Sequence, residues 1–333
     1  MNCAGEGAQD TRNPETAAAG AQAARVDDLT HSFGVAASRR NAYAGVMRFL
    51  GLWTAMVGLL LAACGGDGDV PGPGGAGSGQ EASARLAPEA LRAALAKVGI
   101  DGSQMSVWRR TPEVTLHAVP VAADEAIDAW ERARHRVKAW GHYPVVVDDT
   151  EGDFLGYLED GEPTPHKTLA AAGDLDASTW FRKQAEDARE DEGEEVELGE
   201  WGDGEPQRGF SVPYDYQGKP RPGLKLVLVP TTEPWQAIAW LHFGGWNACP
   251  EPEVHVAVHR YWHDVYGAEL VCISRDVVEM RVARPVRDRA DALKLAREQF
   301  HYSGGDLVYQ GFGALRPLAT SLIDADAWYF WWD

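Results

Sequence analysis

The sequence predicts an α+β protein: a mixed, largely antiparallel sheet covered by helices, preceded by a smaller α/β region. Apolar strand-like runs, "YPVVVDD" at 143–149 and "LKLVLVP" at 224–230, alternate with segments of helical period. "AELVCIS" and "VVEMRVA" flank Ser274-Arg275-Asp276, the spacing of a hairpin. The chain then closes on "WYFWWD", a run of strand-forming aromatics.

Taken in order, "APEALRAALAKVG" (88–99) predicts a short helix, and "QMSVWRR" and "EVTLHAVPV" two strands around Thr111-Pro112. "ADEAIDAWERARHRVKAWG" predicts one amphipathic helix with Ala126, Ile127, Trp130, Ala133 and Val137 on its apolar face, stopped by Gly141. "DASTWFRKQAEDARED" predicts another, capped by Asp176 or Ser178. Eleven of the twenty residues from Glu186 to Glu205 are acidic; such a run repels itself and buries nothing, which predicts a solvated linker or loop over 186–222, the seam between two halves. "EPWQAIAWLHF" leads into "GGWNACPEP", a loop by its Gly and Pro content. In "EVHVAVHRYWHDVYG" the valines set the helical face: Val254, Val258, Tyr261, Trp262 and Val265, ended by Gly267. Val278, Met280 and Val282 alternate with Glu279 and Arg281, a half-buried strand. "RDRADALKLAREQF" predicts a helix turning Ala292, Leu293, Ala296 and Phe300 inward, and "ALRPLATSLID" one more.

The balance of 31 Lys+Arg against 50 Asp+Glu, a net charge of −19, excludes nucleic-acid binding through a basic patch and electrostatic attachment to anionic lipid. Attachment by a lipid is a separate matter. Arg48 precedes Phe49 to Ala63, an apolar run of 15 residues, too short for a membrane-spanning helix and right for a secretory signal. Its ending, Leu61-Ala62-Ala63-Cys64, resembles the lipobox of bacterial lipoproteins, in which the cysteine takes a diacylglyceryl group and becomes the first mature residue. "GGDGDVPGPGGAGSGQ" follows as a flexible tether. The expected organisation is a start at Met47 with 1–46 an over-extended N-terminus, a signal at 47–63 and a tether at 64–86. An N-terminal α/β region then fills 87–185, the acidic linker 186–222, and a C-terminal domain 223–333. The expected site is the cell or outer membrane, facing the periplasm or exterior. The partners are the membrane, through the lipid, and an envelope protein or ligand; no cofactor is implied. Cys249 and Cys272 remain in the body, where a disulfide and two buried thiols are both open.

A resemblance covers the last third. Phe243-Gly244-Gly245-Trp246-Asn247 with Cys249-Pro250, Tyr261-Trp262 before Tyr266-Gly267-Ala268-Glu269, and Leu295-Ala296 with Glu298-Gln299 carry its first part. Gln310-Gly311, Leu318-Ala319 and the closing Trp328 to Asp333 carry the rest. In this order they resemble the bacterial domain of unknown function 4253 family, and 129–147 is similar to the region that precedes the domain in longer members. The chain departs from that pattern at Tyr302-Ser303-Gly304-Gly305-Asp306, where Cys-Pro-Asp is expected. The resemblance implies a fold unit and no known activity; it makes the aromatic end a built-in strand.

Three groups of residues carry candidate chemistry. His255, His259 and His263 repeat at a four-residue helical spacing, flanking the apolar side and pointing away from it; neighbours in such a row can share a metal ion, or form a polar face. Cys249 could act as a nucleophile beside Asn247 and His242, or sit as a thiol in a tight turn. Trp246, Asn247, Cys249, Trp262, Glu269, Glu298, Gln299 and Asp333 are the candidate pocket; its carboxylates could do acid–base work or satisfy Trp and Arg donors. The leading expectation is a non-catalytic binding module. The alternatives are a hydrolase-type pocket around Trp246, Asn247, Glu269 and Asp333, and an immunity or inhibitor protein.

Overall fold

A computed structural model describes residues 85–149, 164–192 and 196–333. Cys3, the signal segment, Cys64 and nearly all of the tether lie outside those residues. Helix α1 (Pro88–Ala96) and strands β1 (Ser106–Arg110) and β2 (Thr115–Pro120) stand where the sequence puts them. The long helix expected over 123–141 is instead two, α2 (Ala126–Arg134) and α3 (Val137–Trp140), parted at His135 and Arg136. Strand β3 (Tyr143–Val147), helix α4 (Pro165–Gly173), which periodicity did not announce, and helix α5 (Ala177–Glu192) complete the first stretch. Asp176 supplies the α5 cap, its Oδ1 accepting the Thr179 N–H at 2.7 Å. Strand β4 (Lys225–Val229), the short α6 (Ala237–Leu241), helix α7 (Pro252–Tyr266) and strands β5 (Ala268–Ile273) and β6 (Val277–Val282) follow. Helix α8 (Arg289–Tyr302), a π-helical turn at Leu307–Phe312, helix α9 (Leu315–Leu322) and strand β7 (Ala327–Trp331) end the chain.

All seven strands form one sheet in the order β1-β2-β4-β3-β5-β6-β7. Only β3 and β5 pair in parallel; the other neighbours are antiparallel. The halves divided at 186–222 therefore share a sheet, with β3 from the first half inserted between β4 and β5 of the second. Burial on both faces explains why β3 and β4 read as unbroken apolar runs rather than alternating ones. Below, face A of the sheet is the one turned to α7, and face B the one turned to α2. On β6, Val278 and Met280 stand opposite Phe330 and Trp328 on face A, while Glu279 and Arg281 turn to face B. A bulge between Leu270 and Cys272 sets Cys272 opposite Glu279 on that second face.

The described part of the acidic linker is fastened to the body instead of standing in solvent. Helix α9 has no side-chain cap, and its first N–H groups, on Leu315 and Arg316, donate to the carbonyls of Glu197 and Leu198 at 3.0 and 2.8 Å. Further along, buried Glu279 accepts from the Ser211 N–H and Oγ–H, each at 2.6 Å, and from the Val212 N–H at 3.1 Å. Burial raises the Glu279 carboxyl pKa, and these donors pull it back. Glu279→Ala leaves all three donors without an acceptor. The expected cost is about 2 kcal/mol or more in urea unfolding. Because the loss releases the strap locally, native-state trypsin should cut at Arg208 in the variant long before wild type. Equal cleavage in both proteins would contradict the strap.

Candidate functional site

The closing aromatics become a packed layer under α7. Trp328, Phe330 and Trp332 point to face A, and Trp262, fully buried, stacks on Phe330 with centroids 5.3 Å apart and planes at 11°. Tyr329 and Trp331 take the other face, where the Tyr329 N–H reaches Gln207 and Trp331 Nε1–H donates to Asp276 at 3.0 Å. Tyr302, at the end of α8, sits edge-on to Trp262, Phe330 and Trp332 and is fully buried.

The histidine row is placed differently from expectation. His255 and His259 are fully buried, Val254 is half-buried and Val265 is 43% exposed, so the buried face of α7 is rotated toward the histidines. Scoring His as polar misplaced it. Tyr302 explains how two imidazoles tolerate the core: its hydroxyl lies 2.6 Å from His255 Nδ1 and 2.8 Å from His259 Nε2. His255 Nε2 faces the Pro250 carbonyl, which can only accept, and lies 3.4 Å from Cys249 Sγ. The proton on His255 is thus at Nε2 and its Nδ1 accepts the Tyr302 hydroxyl proton. His259 Nε2–H then donates to the tyrosine oxygen, completing a relay Cys249–His255–Tyr302–His259. Gly244 makes this fit possible: it has φ +113°, and a Cβ there would lie 2.3 Å from the Pro250 oxygen and 2.8 Å from His255 Nε2.

That geometry corrects two expectations. His263 is turned away to the Ala268 carbonyl, 3.1 Å from its Nδ1, so the three histidines assemble no metal centre. Among the described residues no group of three His, Cys, Asp or Glu converges as ligands. Cys249 has a histidine beside it, but His255 rather than His242, and the pair has the wrong electrostatics for a thiolate. Burial, with Glu251 adding to it, pushes the thiol far up, and burial, with His259 adding to it, holds His255 well down. Cys249 and Cys272 are both free and buried.

The carboxylates are spent on internal donors. Glu298 accepts from Trp262 Nε1–H and from the Tyr261 hydroxyl, both at 3.0 Å, and burial raises its pKa. Gln299 is fully buried and its amide makes no hydrogen bond. Glu269 lies on face B, paired with Arg134 of α2 next to the Glu131–Arg281 pair. The structure does join the loop to the chain end: Asn247, at φ 47°, donates from Nδ2 to the Asp333 carbonyl at 2.9 Å, and the Asp333 N–H donates to Asp306 at 3.0 Å. Trp246 packs edge-on against Phe243, half-buried. The proposed quartet of Trp246, Asn247, Glu269 and Asp333 is therefore split across the sheet and cannot converge on one substrate.

Sequence reasoning missed a concave feature of the described surface. A half-open cavity of roughly 210 Å³ lies between α5, α8 and the π-helical turn, floored by Phe300, Leu315 and Val196. Arg189, Arg297, His301 and Tyr309 line it, and Leu198 forms part of its rim. Tyr302 was also missed, although it opens the segment where the chain departs from the family pattern.

No curated protein and no solved structure matches this chain. Residues 225–333 match a family model, beginning at the first residue of β4 and running to the last residue of the chain. The elements from β4 to β7, with α6 to α9 and the aromatic layer, are thereby a Domain of unknown function (DUF4253).

Proposed function

We propose that this protein is a non-catalytic binding module, held at the cell envelope by a lipid on Cys64, whose α+β body engages a ligand or partner. The observation that carries the reading is how its reactive groups are used. Glu269, Glu279 and Glu298 are committed to internal donors, and Cys249 is buried beside a histidine that stays neutral. What faces solvent is a cavity edged by Leu198 and Tyr309, two of the large exposed hydrophobics among the described residues. Exposed apolar surface gathered at a concavity is the usual mark of a binding site.

Among the described residues no helix is long and apolar enough to cross a membrane. A lipid on Cys64, followed by the Gly-rich tether, would hold the body at the surface without one. The test is intact mass and membrane partitioning of wild type against Cys64→Ala in the native host. A mature chain starting at Cys64 with added acyl mass, lost in the variant, is the expected result. An unmodified chain in the soluble fraction would overturn the anchor and return the search for partners to the cytoplasm.

A further inference from the structure

The net charge of −19 conceals an asymmetry along the chain. From Arg85 to His142 there are 9 Lys+Arg against 7 Asp+Glu, whereas from Tyr143 to Asp333 there are 17 against 35. Folding gathers part of the first stretch into one patch. The Leu86 N–H donates to the Trp140 carbonyl at 3.0 Å, which lays Arg85 beside the turn leading to His142, and the Arg85 guanidinium sits over the Trp240 ring at 5.8 Å. Arg92 of α1 donates from Nη2 to the Met105 carbonyl at 3.0 Å, next to the start of β1, and Arg110 ends that strand. On β2, His117 stands opposite Val107. Burial lowers the His117 pKa, and Arg92 and Arg110 lower it further, against Glu89. Burial also lowers His142, with Arg85 and His117 adding to it, against the bond to the Trp140 carbonyl. Glu89 is the only carboxylate among the described groups acting on either histidine. Arg85, Arg92 and Arg110 are exposed and have no ion-pair partner among the described residues, whereas Arg134, Arg208, Arg221 and Arg281 elsewhere on the body do.

We propose that this patch is a membrane-orienting surface, on which Arg85, Arg92 and Arg110 meet the phosphates of anionic phospholipid headgroups. The proposal rests on the reading of a chain anchored at Cys64 and deepens it: the lipid supplies residence at the bilayer, and the patch supplies orientation. Twenty residues separate Cys64 from Arg85, and a Gly-rich chain of that length has an end-to-end distance of about 25 Å, so the patch enters the body within reach of the surface. An anionic surface acts on charges within about 8 Å, the Debye length at physiological ionic strength, so the local balance counts there and not the −19 of the whole chain. That whole-chain charge excludes attachment by charge alone, but orientation of a body already anchored asks for much less. Three exposed guanidinium groups set around two histidines suit a plane of phosphates, since each planar fork can meet a different headgroup.

The test uses the full chain purified from its host and reconstituted in vesicles of phosphatidylcholine, alone or mixed with phosphatidylglycerol. Modification of arginines by phenylglyoxal is then read residue by residue by mass spectrometry. Each arginine at an anionic surface is worth roughly 5-fold in binding, so the three together should slow modification of Arg85, Arg92 and Arg110 by roughly 10-fold or more on the anionic vesicles. High salt should abolish that protection. Arg287, with 83% of its side chain exposed, is the internal reference and should react equally on both vesicles. Arg110→Gln, which removes one exposed charge, should weaken the protection of Arg85 and Arg92 by roughly 5-fold. Equal modification of the three arginines on both vesicles, in a chain whose mass carries the lipid, would overturn the patch and leave the anchor standing. A chain without acyl mass would remove the anchor instead, and the membrane partner with it. Slowing at Arg287 as large as at the patch would mean that the body lies on the bilayer without a preferred face, against the proposal. Equal slowing by inorganic phosphate on phosphatidylcholine vesicles would make the patch a site for a free anion and overturn the membrane as its partner.

Discussion

Trp262→Ala is expected to destabilise the body by about 3–5 kcal/mol, the range for truncating a fully buried aromatic. Trp262 is where the layers meet: it stacks on Phe330, stands edge-on to Trp328 and Tyr302, and donates from Nε1 to Glu298 at 3.0 Å. Its loss opens a cavity beneath α7 and removes one of the two close donors from a buried carboxylate, so packing and polar costs add. The midpoint of urea unfolding should fall sharply while the slope stays unchanged. Trp262→Phe separates the two costs: it keeps most of the ring area and removes the N–H, so about 1–2 kcal/mol should remain. Val265→Ala, one turn on and 43% exposed, should be within about 0.5 kcal/mol of wild type. Equal effects at positions 262 and 265 would mean that α7 does not present the face described here.

The contrast between those two positions is also the measure of what the sequence made legible. Strands β1 to β7 and helices α1, α5, α7, α8 and α9 were visible because apolar periodicity and Gly, Pro and Asp punctuation are local signals. Helix α4 was not, since "PHKTLAAAG" has too few large apolar residues to mark a face. The face of α7 was displaced because Val254 and Val265 look like core and His255 and His259 do not; only Tyr302, some forty residues on, supplies the hydroxyl that lets imidazoles be buried. The same reason hid the strap. Glu279 announces a solvent-facing position in an alternating strand, and its three donors come from about seventy residues upstream. Of the candidate residues, Asn247 touches the main-chain carbonyl of Asp333, whereas Glu269 belongs to an ion-pair cluster with α2. Insertion of β3 between β4 and β5 is likewise a non-local fact. It makes the family domain, in this chain, dependent on a strand that precedes the matched residues.

The buried histidines give the second large effect, a loss of stability on mild acidification. Burial holds His255 well below the ordinary histidine range and pushes His259 down to about 3. In the unfolded chain both take up protons near pH 6.5. Because the folded values are the lower ones, the stability is complete above pH 6.5 and is lost as pH falls toward the folded values. Going from pH 8 to pH 5.5 should cost about 1.4 kcal/mol for each histidine, about 3 kcal/mol for the pair. Protonating both is opposed twice over: the core offers no carboxylate to the rings, which face Cys249, Tyr302, Phe243 and Trp332, and their centroids are 6.0 Å apart. The buried carboxylates act with the opposite sign. Glu279 and Glu298 have raised values, so their contribution is present below about pH 4.5 and lost above it, and they cannot produce a decline between pH 8 and 5.5. Staying at pH 5.5 also avoids the more acidic range in which the −19 charge is neutralised. The measurement is the urea midpoint across this range for wild type and His259→Phe. The variant should start lower at pH 8, having left the Tyr302 oxygen without its donor, and lose about 1.4 kcal/mol less than wild type on acidification. A variant whose profile runs parallel to wild type would show that His259 is not the group being titrated, and with that the relay through Tyr302 would fall.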